Sequence, residues 1–226
     1  MDQSPNTQQN IKYHLLFAEP AQSEEFKTKV CLPYFRDIFK DLQERSDNKS
    51  KGINRLSLLN YCQLPGLVAE RFFAAFDTNN NGYLSQDELL AGLLGFFCGN
   101  FDEKMRLIFQ MYDFDNDSKI SQEDIITLIS CMPVNSTANV RSEGKYTKEG
   151  GGAQNFQERV DSLEEMLLVL QKCFGKREHI NLQEFKQITE TESSDMALAV
   201  LALIRERLPC AENYWRYRRN FELHLK

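Results

Sequence analysis

The chain has 226 residues, of which 42% are hydrophobic, and its 27 Lys and Arg against 33 Asp and Glu leave a net charge of −6. That apolar share suffices for one large or two small cores, and the acidic balance excludes a nucleic-acid partner bound through phosphate neutralisation. No stretch is apolar for long enough to cross a bilayer, no cleavable signal peptide is visible, and Asp2 stands where N-terminal myristoylation needs glycine, so a cytoplasmic protein is expected.

Residues 1–22 read as a flexible segment ahead of a first helical lobe at 23–99. Phe35, Ile38 and Phe39 fall at helical spacing and lead into a polar loop from Ser46 to Gly52, after which Ile53 and Leu56 open another helix. Lys49 and Lys51 in that loop repel cations. Phe73 and Phe76, again at helical spacing, then lead into residues 77–88, DTNNNGYLSQDE. Oxygen-bearing side chains recur through these twelve positions, with glycine at the sixth, which is what a short chain needs in order to wrap a hard cation that takes six to eight oxygens. Asp77, Asn79 and Asn81 would ligate Ca2+ through their side chains, Tyr83 through its carbonyl, Ser85 through a water and Glu88 through both carboxylate oxygens, while Gly82 makes the sharp turn. Ser85 and Glu88 also fit a helix-start pattern, so an ion here would be joined mechanically to the next helix. A solvated polar turn is the competing reading.

The helix that follows carries Leu89, Leu90, Leu93, Leu94, Phe96 and Phe97, and a second lobe at 100–192 adds Met105, Ile108, Phe109, Met111, Ile125, Ile126, Leu128 and Ile129. Each can be core. As a set they exceed what a minimal lobe must hide, and they could line a groove that receives an amphipathic helix of a protein partner. Thirty-six residues after the first loop, residues 113–124, DFDNDSKISQED, repeat its pattern behind Phe109 and Tyr112. The corresponding ligands are Asp113, Asp115, Asp117, Lys119 through its carbonyl, Ser121 and Asp124. Ser118 replaces the turn glycine, so a residue with a Cβ must take positive φ at about 1–2 kcal/mol. Asp124 is one methylene shorter than the glutamate it replaces and should reach an ion through one oxygen, which favours weaker or mixed Ca2+ and Mg2+ binding. A metal-free second loop is the alternative.

Loops of this kind pair through a short β-contact at their eighth residue, which makes Ile53 a partner for Leu84 and Ile180 a partner for Ile120. Ile180 lies in residues 173–184, CFGKREHINLQE, after an apolar helix from Leu163 to Leu170; this third loop keeps Glu184 but lacks the early acidic ligands, so it should hold no metal. The loop before Ile53 reads as a degenerate, metal-free loop in the same way. Residues 134–157 form an insertion rich in Ser, Thr, Gly and Lys with no hydrophobic period. It is either a plain linker or a docking and phosphorylation segment using Ser136, Thr137, Ser142 or Thr147.

The extension 193–226 opens with a helix from Met196 to Leu208 that is apolar around most of its circumference and must be buried, either in the second lobe or in the target groove. Tyr214 to Phe221 then mixes aromatic rings with arginines; this suits a solvated helix end, an acidic protein surface or peripheral contact with a membrane. Six cysteines without zinc spacing read as buried reduced thiols. His14, His179 and His224 lie in separate segments with no nucleophile arranged around them, and no phosphate-cradling glycine pattern occurs, so no catalytic activity is expected.

On these residues the chain resembles the EF-hand proteins of the calmodulin superfamily. Phe101 to Asp113, FDEKMRLIFQMYD, looks like the linker and third-hand entry of calcineurin B, neuronal calcium sensors and calaxin-type ciliary proteins. The resemblance implies an all-α, two-lobed fold of four hands, the first and fourth degenerate, and a non-catalytic regulatory or adaptor role toward a protein partner. A constitutive structural subunit of a cytoskeletal or ciliary assembly, stabilised by one ion, is the alternative. The insertion, Ser118, Asp124, the absent myristoyl signal and the basic aromatic tail depart from the neuronal sensors.

Overall fold

The computed structural model describes residues 24–132, 167–168, 170–191 and 195–224. The segment 1–22, the insertion 134–157 and most of the helix expected from Leu163 lie outside the described residues. The fold is all-α, with four two-residue strands among the described residues.

The first described helix, α1, runs from Glu24–Phe26 through a π-helical turn, Lys27–Cys31, into Leu32–Glu44. Pro33 explains the π turn: it has no N–H for the Lys29 carbonyl and its ring crowds that carbonyl, so the helix widens and Leu32 N–H bonds Lys27 O instead. Phe35, Ile38, Phe39 and Leu42 then form one buried stripe. Next come β1 (Ile53–Asn54), α2 (Arg55–Cys62), α3 (Gly66–Phe76), β2 (Tyr83–Leu84) and α4 (Gln86–Cys98). The second lobe consists of α5 (Phe101–Tyr112), β3 (Ile120–Ser121), α6 (Gln122–Ser130), the helical residues 170–174, β4 (His179–Ile180) and α7 (Leu182–Thr191).

Local sequence sets the helix starts. Asn54 Oδ1 accepts from Ser57 N at the start of α2, and Ser85 with Glu88, Asn100 with Glu103 and Ser121 with Asp124 form capping boxes at α4, α5 and α6. The strands pair antiparallel as the loop spacing requires, Ile53 with Leu84 and Ile120 with Ile180, and all four side chains are buried. Gly52 is needed at the first junction, because a Cβ there would lie 2.2 Å from the Leu84 carbonyl oxygen and φ is +120°.

Two further helices close the molecule. α8 (Asp195–Arg207) packs on α5, α6 and α7, burying Ala197, Val200, Leu201, Leu203 and Ile204 in the second lobe. α9 (Pro209–His224) then returns to the first lobe. The Tyr214 hydroxyl donates to Phe97 O at 2.8 Å, the Phe26 ring meets Tyr214 and Phe221, and Tyr34 meets Tyr217. This corrects the reading of Tyr214 to Phe221 as a solvated end: the rings find apolar partners that lie far back in the sequence. It also revises the groove. Leu89, Leu90, Leu93, Phe96, Phe97, Met105, Ile108, Phe109, Met111, Ile125, Leu128 and Ile129 are all buried, while Leu94 and Ile126 remain half-buried. Of the cysteines, Cys131 is exposed, because it sits just past the last turn of α6; the other five are buried, and all six are free.

Candidate metal loops

Helix α3 ends at Asp77, whose N–H still bonds Phe73 O while its side chain turns into the loop. Asp77 Oδ1 accepts from Asn81 N and Oδ2 from Gly82 N at 2.8 Å. Asn79 Oδ1 accepts from Asn81 N, and Asn81 Oδ1 from Tyr83 N. The loop backbone therefore folds about the side-chain oxygens of its first, third and fifth residues. Asn80 and Gly82 take positive φ, +55° and +79°, to make this possible.

Glu88 closes the loop from the first turn of α4. Its Oε2 accepts from Ser85 N and Ser85 Oγ, while Oε1 reaches back to Thr78 Oγ1 at 3.0 Å and Asn79 Nδ2 at 2.9 Å. Burial pushes its pKa up, but these hydrogen bonds from Ser85, Thr78 and Asn79 outweigh it and hold the carboxyl below its ordinary range. Glu88 is thus ionised and oriented across the loop.

The second loop repeats this scaffold bond for bond over its first half. Asp113 ends α5 and accepts from Asp117 N and Ser118 N, Asp115 Oδ1 accepts from Asp117 N, and Asp117 Oδ1 accepts from Lys119 N at 2.7 Å. Ser118 adopts φ +66°, the left-handed conformation that its place demands of a residue with a Cβ. The Asp113, Asp115 and Asp117 carboxylates each bring an oxygen within 4.8 Å of the others. Burial, together with the charges of Asp117 and Asp115, pushes Asp113 up despite its two backbone donors. Three acids gathered at such a cost form a donor set that a divalent cation fits. The closing residue differs: Asp124 Oδ2 accepts from Ser121 N and Oγ, but its shorter chain makes no counterpart of the reach that Glu88 makes to Thr78 and Asn79.

The loop at 173–184 carries an internal cation. Arg177, its fifth residue, donates from Nη2 to Cys173 O at 2.8 Å, from Nε to Phe174 O and from Nη1 to Glu184 Oε1 at 3.1 Å. Its guanidinium ties the loop's first carbonyl to its closing carboxylate, so a side-chain cation holds the two ends of the loop together. In the loop before Ile53, Ser46 Oγ accepts from Asn54 N and Ser57 Oγ donates to Arg45 O.

Arg71 is the residue that sequence reasoning missed. Buried on the apolar helix α3, it donates to the carbonyls of Gln110, Met111, Asp113 and Phe114 and lies over the Phe114 ring at 4.9 Å. It thereby caps the C-terminal end of α5 at the threshold of the second loop, from the helix that enters the first. A lone arginine within GLVAERFFAAF was the available signal.

Residues 68–130 match the family model of an EF-hand domain pair, a kind of domain that binds Ca2+. The chain is 29% identical over 148 residues to a calcium and calcium/calmodulin-dependent serine/threonine-protein kinase of Lotus japonicus, which covers 58% of this chain and 28% of the kinase. It is 27% identical over 110 residues to calaxin of Bos taurus, covering 46% of this chain and 51% of calaxin. With calcineurin B of Yarrowia lipolytica it shares 29% over 124 residues, covering 50% of this chain and 70% of that protein. The chain therefore spans about half of calaxin and a smaller share of the kinase. No helix among the described residues is long and apolar enough to cross a membrane.

Proposed function

We propose that this chain, an EF-hand protein of the calmodulin superfamily, is a non-catalytic Ca2+-binding regulatory or adaptor protein that engages a helix of a larger partner. In this reading it has four hands. Loop 77–88 holds Ca2+ through Asp77, Asn79, Asn81, the Tyr83 carbonyl, Ser85 by way of water, and Glu88. Loop 113–124 takes Ca2+ or Mg2+ more weakly through Asp113, Asp115, Asp117, the Lys119 carbonyl, Ser121 and Asp124. The other two loops take none. A bound ion supplies a fixed positive charge at the centre of each binding loop. The observation that carries the reading is Glu88, which belongs at once to the loop's hydrogen-bond network and to the first turn of α4.

A change at Glu88 has a route outward. α4 ends at Phe97 and Cys98, the Phe97 carbonyl holds the Tyr214 hydroxyl, and Tyr214 stands beside Trp215 on α9. In this reading a partner helix competes with α9 for the apolar face of the first lobe. Calorimetric titration of the full chain with Ca2+ should give one tighter and one weaker site; Glu88→Gln should abolish the tighter and Asp113→Ala the weaker. Trp215 is the single tryptophan, so its emission, followed together with hydrophobic-dye binding in Ca2+ and in chelator, reports movement of α9. A constitutive structural role is the second reading, favoured by the closure of both lobes under α8 and α9. Tight Ca2+ binding that alters neither emission nor dye uptake supports that reading; an absence of Ca2+ binding at millimolar concentration sinks both.

A further inference from the structure

Two thiols that the metal loops do not use face each other inside the first lobe. Cys31, at the end of the π turn of α1, and Cys98, the last residue of α4, place their sulfurs 3.5 Å apart although sixty-seven positions separate them in the chain. Both are almost wholly buried, at 1% and 3% exposure. The π turn makes the meeting possible: Phe26 and Cys31, five residues apart, would diverge around an α-helix, but the i→i+5 turn turns both toward the core. Tyr214 Oη lies 3.8 Å from the Cys98 sulfur, so the pair sits beneath the docking point of α9.

We propose that Cys31 and Cys98 are a site of reversible oxidation by hydrogen peroxide, joining as a disulfide that fastens the start of α1 to the end of α4. The two differ as reactants. Contact with the Cys31 thiol, aided by Tyr214 and by the ammonium groups of Lys27 and Lys104, holds Cys98 below the ordinary thiol range against the effect of burial, while that same contact and burial push Cys31 up. Cys98 is therefore the first nucleophile. Its thiolate sulfur attacks a peroxide oxygen; the O–O bond breaks, hydroxide leaves and takes up the thiol proton as water, and Cys98 becomes a sulfenic acid. The Cys31 sulfur then attacks the Cys98 sulfur; the S–O bond breaks, and hydroxide leaves with the Cys31 proton as a second water. Two thiols lose two electrons in all, and one peroxide gains them.

The assignment does not depend on metal binding and is tested on the full chain without it. Protein treated with hydrogen peroxide, alkylated and digested with trypsin under non-reducing conditions should yield peptide 30–36 linked to peptide 72–104, two hydrogens lighter than their sum. Cys31→Ser and Cys98→Ser should each lose the linked peptide, and Cys62→Ser should keep it. Closing so long a loop should raise the thermal midpoint of oxidised wild-type protein by roughly 10 °C, reversed by dithiothreitol. The wild-type digest decides the question even if a serine variant folds poorly. Oxidation of exposed Cys131 with Cys31 and Cys98 still alkylatable after unfolding overturns the proposal, and so does conversion of Cys98 to sulfinic acid without a link.

Discussion

At Ser118 a side chain sits where the backbone turn favours none. Its φ of +66° lies in the left-handed region, which costs a residue with a Cβ about 1–2 kcal/mol. Its N–H still donates to Asp113 Oδ2, just as Gly82 N–H donates to Asp77 Oδ2, so the loop's architecture outweighs the strain. Ser118→Gly removes that cost but enlarges the unfolded ensemble by about 0.5–1 kcal/mol. The net expectation is a gain of up to about 1 kcal/mol, seen as a rise of roughly 2–4 °C in the thermal midpoint of metal-free protein. An unchanged or lowered midpoint would mean that Ser118 makes up for its conformation in some other way. Glu88 and Asp124 form the complementary contrast, since one methylene separates a carboxylate that spans its loop from one that stays beside its capping serine.

Between elements, what could be read in the sequence follows from how far apart the interacting residues lie. The loops, their helix starts and the Ile53–Leu84 and Ile120–Ile180 pairs depend on short, fixed spacing, and periodicity carried them. Arg71 depends on carbonyls about forty residues away, and no local pattern signals that partnership. The loop at 173–184 reads in sequence as one that lacks its early acidic ligands; only the contacts of Arg177 with Cys173 O and Glu184 reveal what joins its two ends. The Arg71 contact is also a polar tie between the lobes, joining α3 to the end of α5 and the Asp113 carbonyl. Arg71→Met keeps an unbranched apolar stem and removes the donors, leaving buried carbonyls to find new partners. The expected cost is about 3 kcal/mol, read as a fall of the thermal midpoint by roughly 6–12 °C. Cation affinity should drop more at the loop opened by Asp113 than at the loop opened by Asp77, because Arg71 shapes the entry of the former. Equal losses at the two loops would show that Arg71 serves general stability alone.

Across the whole molecule, the chain leaves the first lobe, builds the second, covers it with α8 and comes back with α9. The surplus of apolar residues in α4 to α6 is therefore not a standing groove; α8 and α9 take it up, and Tyr214 is the anchor of that return. Its ring packs on Phe26, Phe97 and Trp215, and its hydroxyl is spent on the Phe97 carbonyl. Tyr214→Phe loses only the hydrogen bond, about 1 kcal/mol, and should leave α9 seated. Tyr214→Ala removes the ring as well, at about 3–5 kcal/mol, which exceeds what the half-buried Tyr217 and Phe221 can retain. In the alanine variant α9 should lift from the first lobe, uncovering Phe26, Tyr34 and Phe97. Hydrophobic dye should then bind without Ca2+, and Trp215 emission should shift toward the red. Loop 77–88 lies at the other end of α4, and because the proposed reading couples its ion to the seat of α9, reciprocity requires the alanine variant to bind Ca2+ there several-fold more tightly. If the alanine variant takes up no dye while its midpoint falls, α9 is held by its whole length and the anchor is not Tyr214.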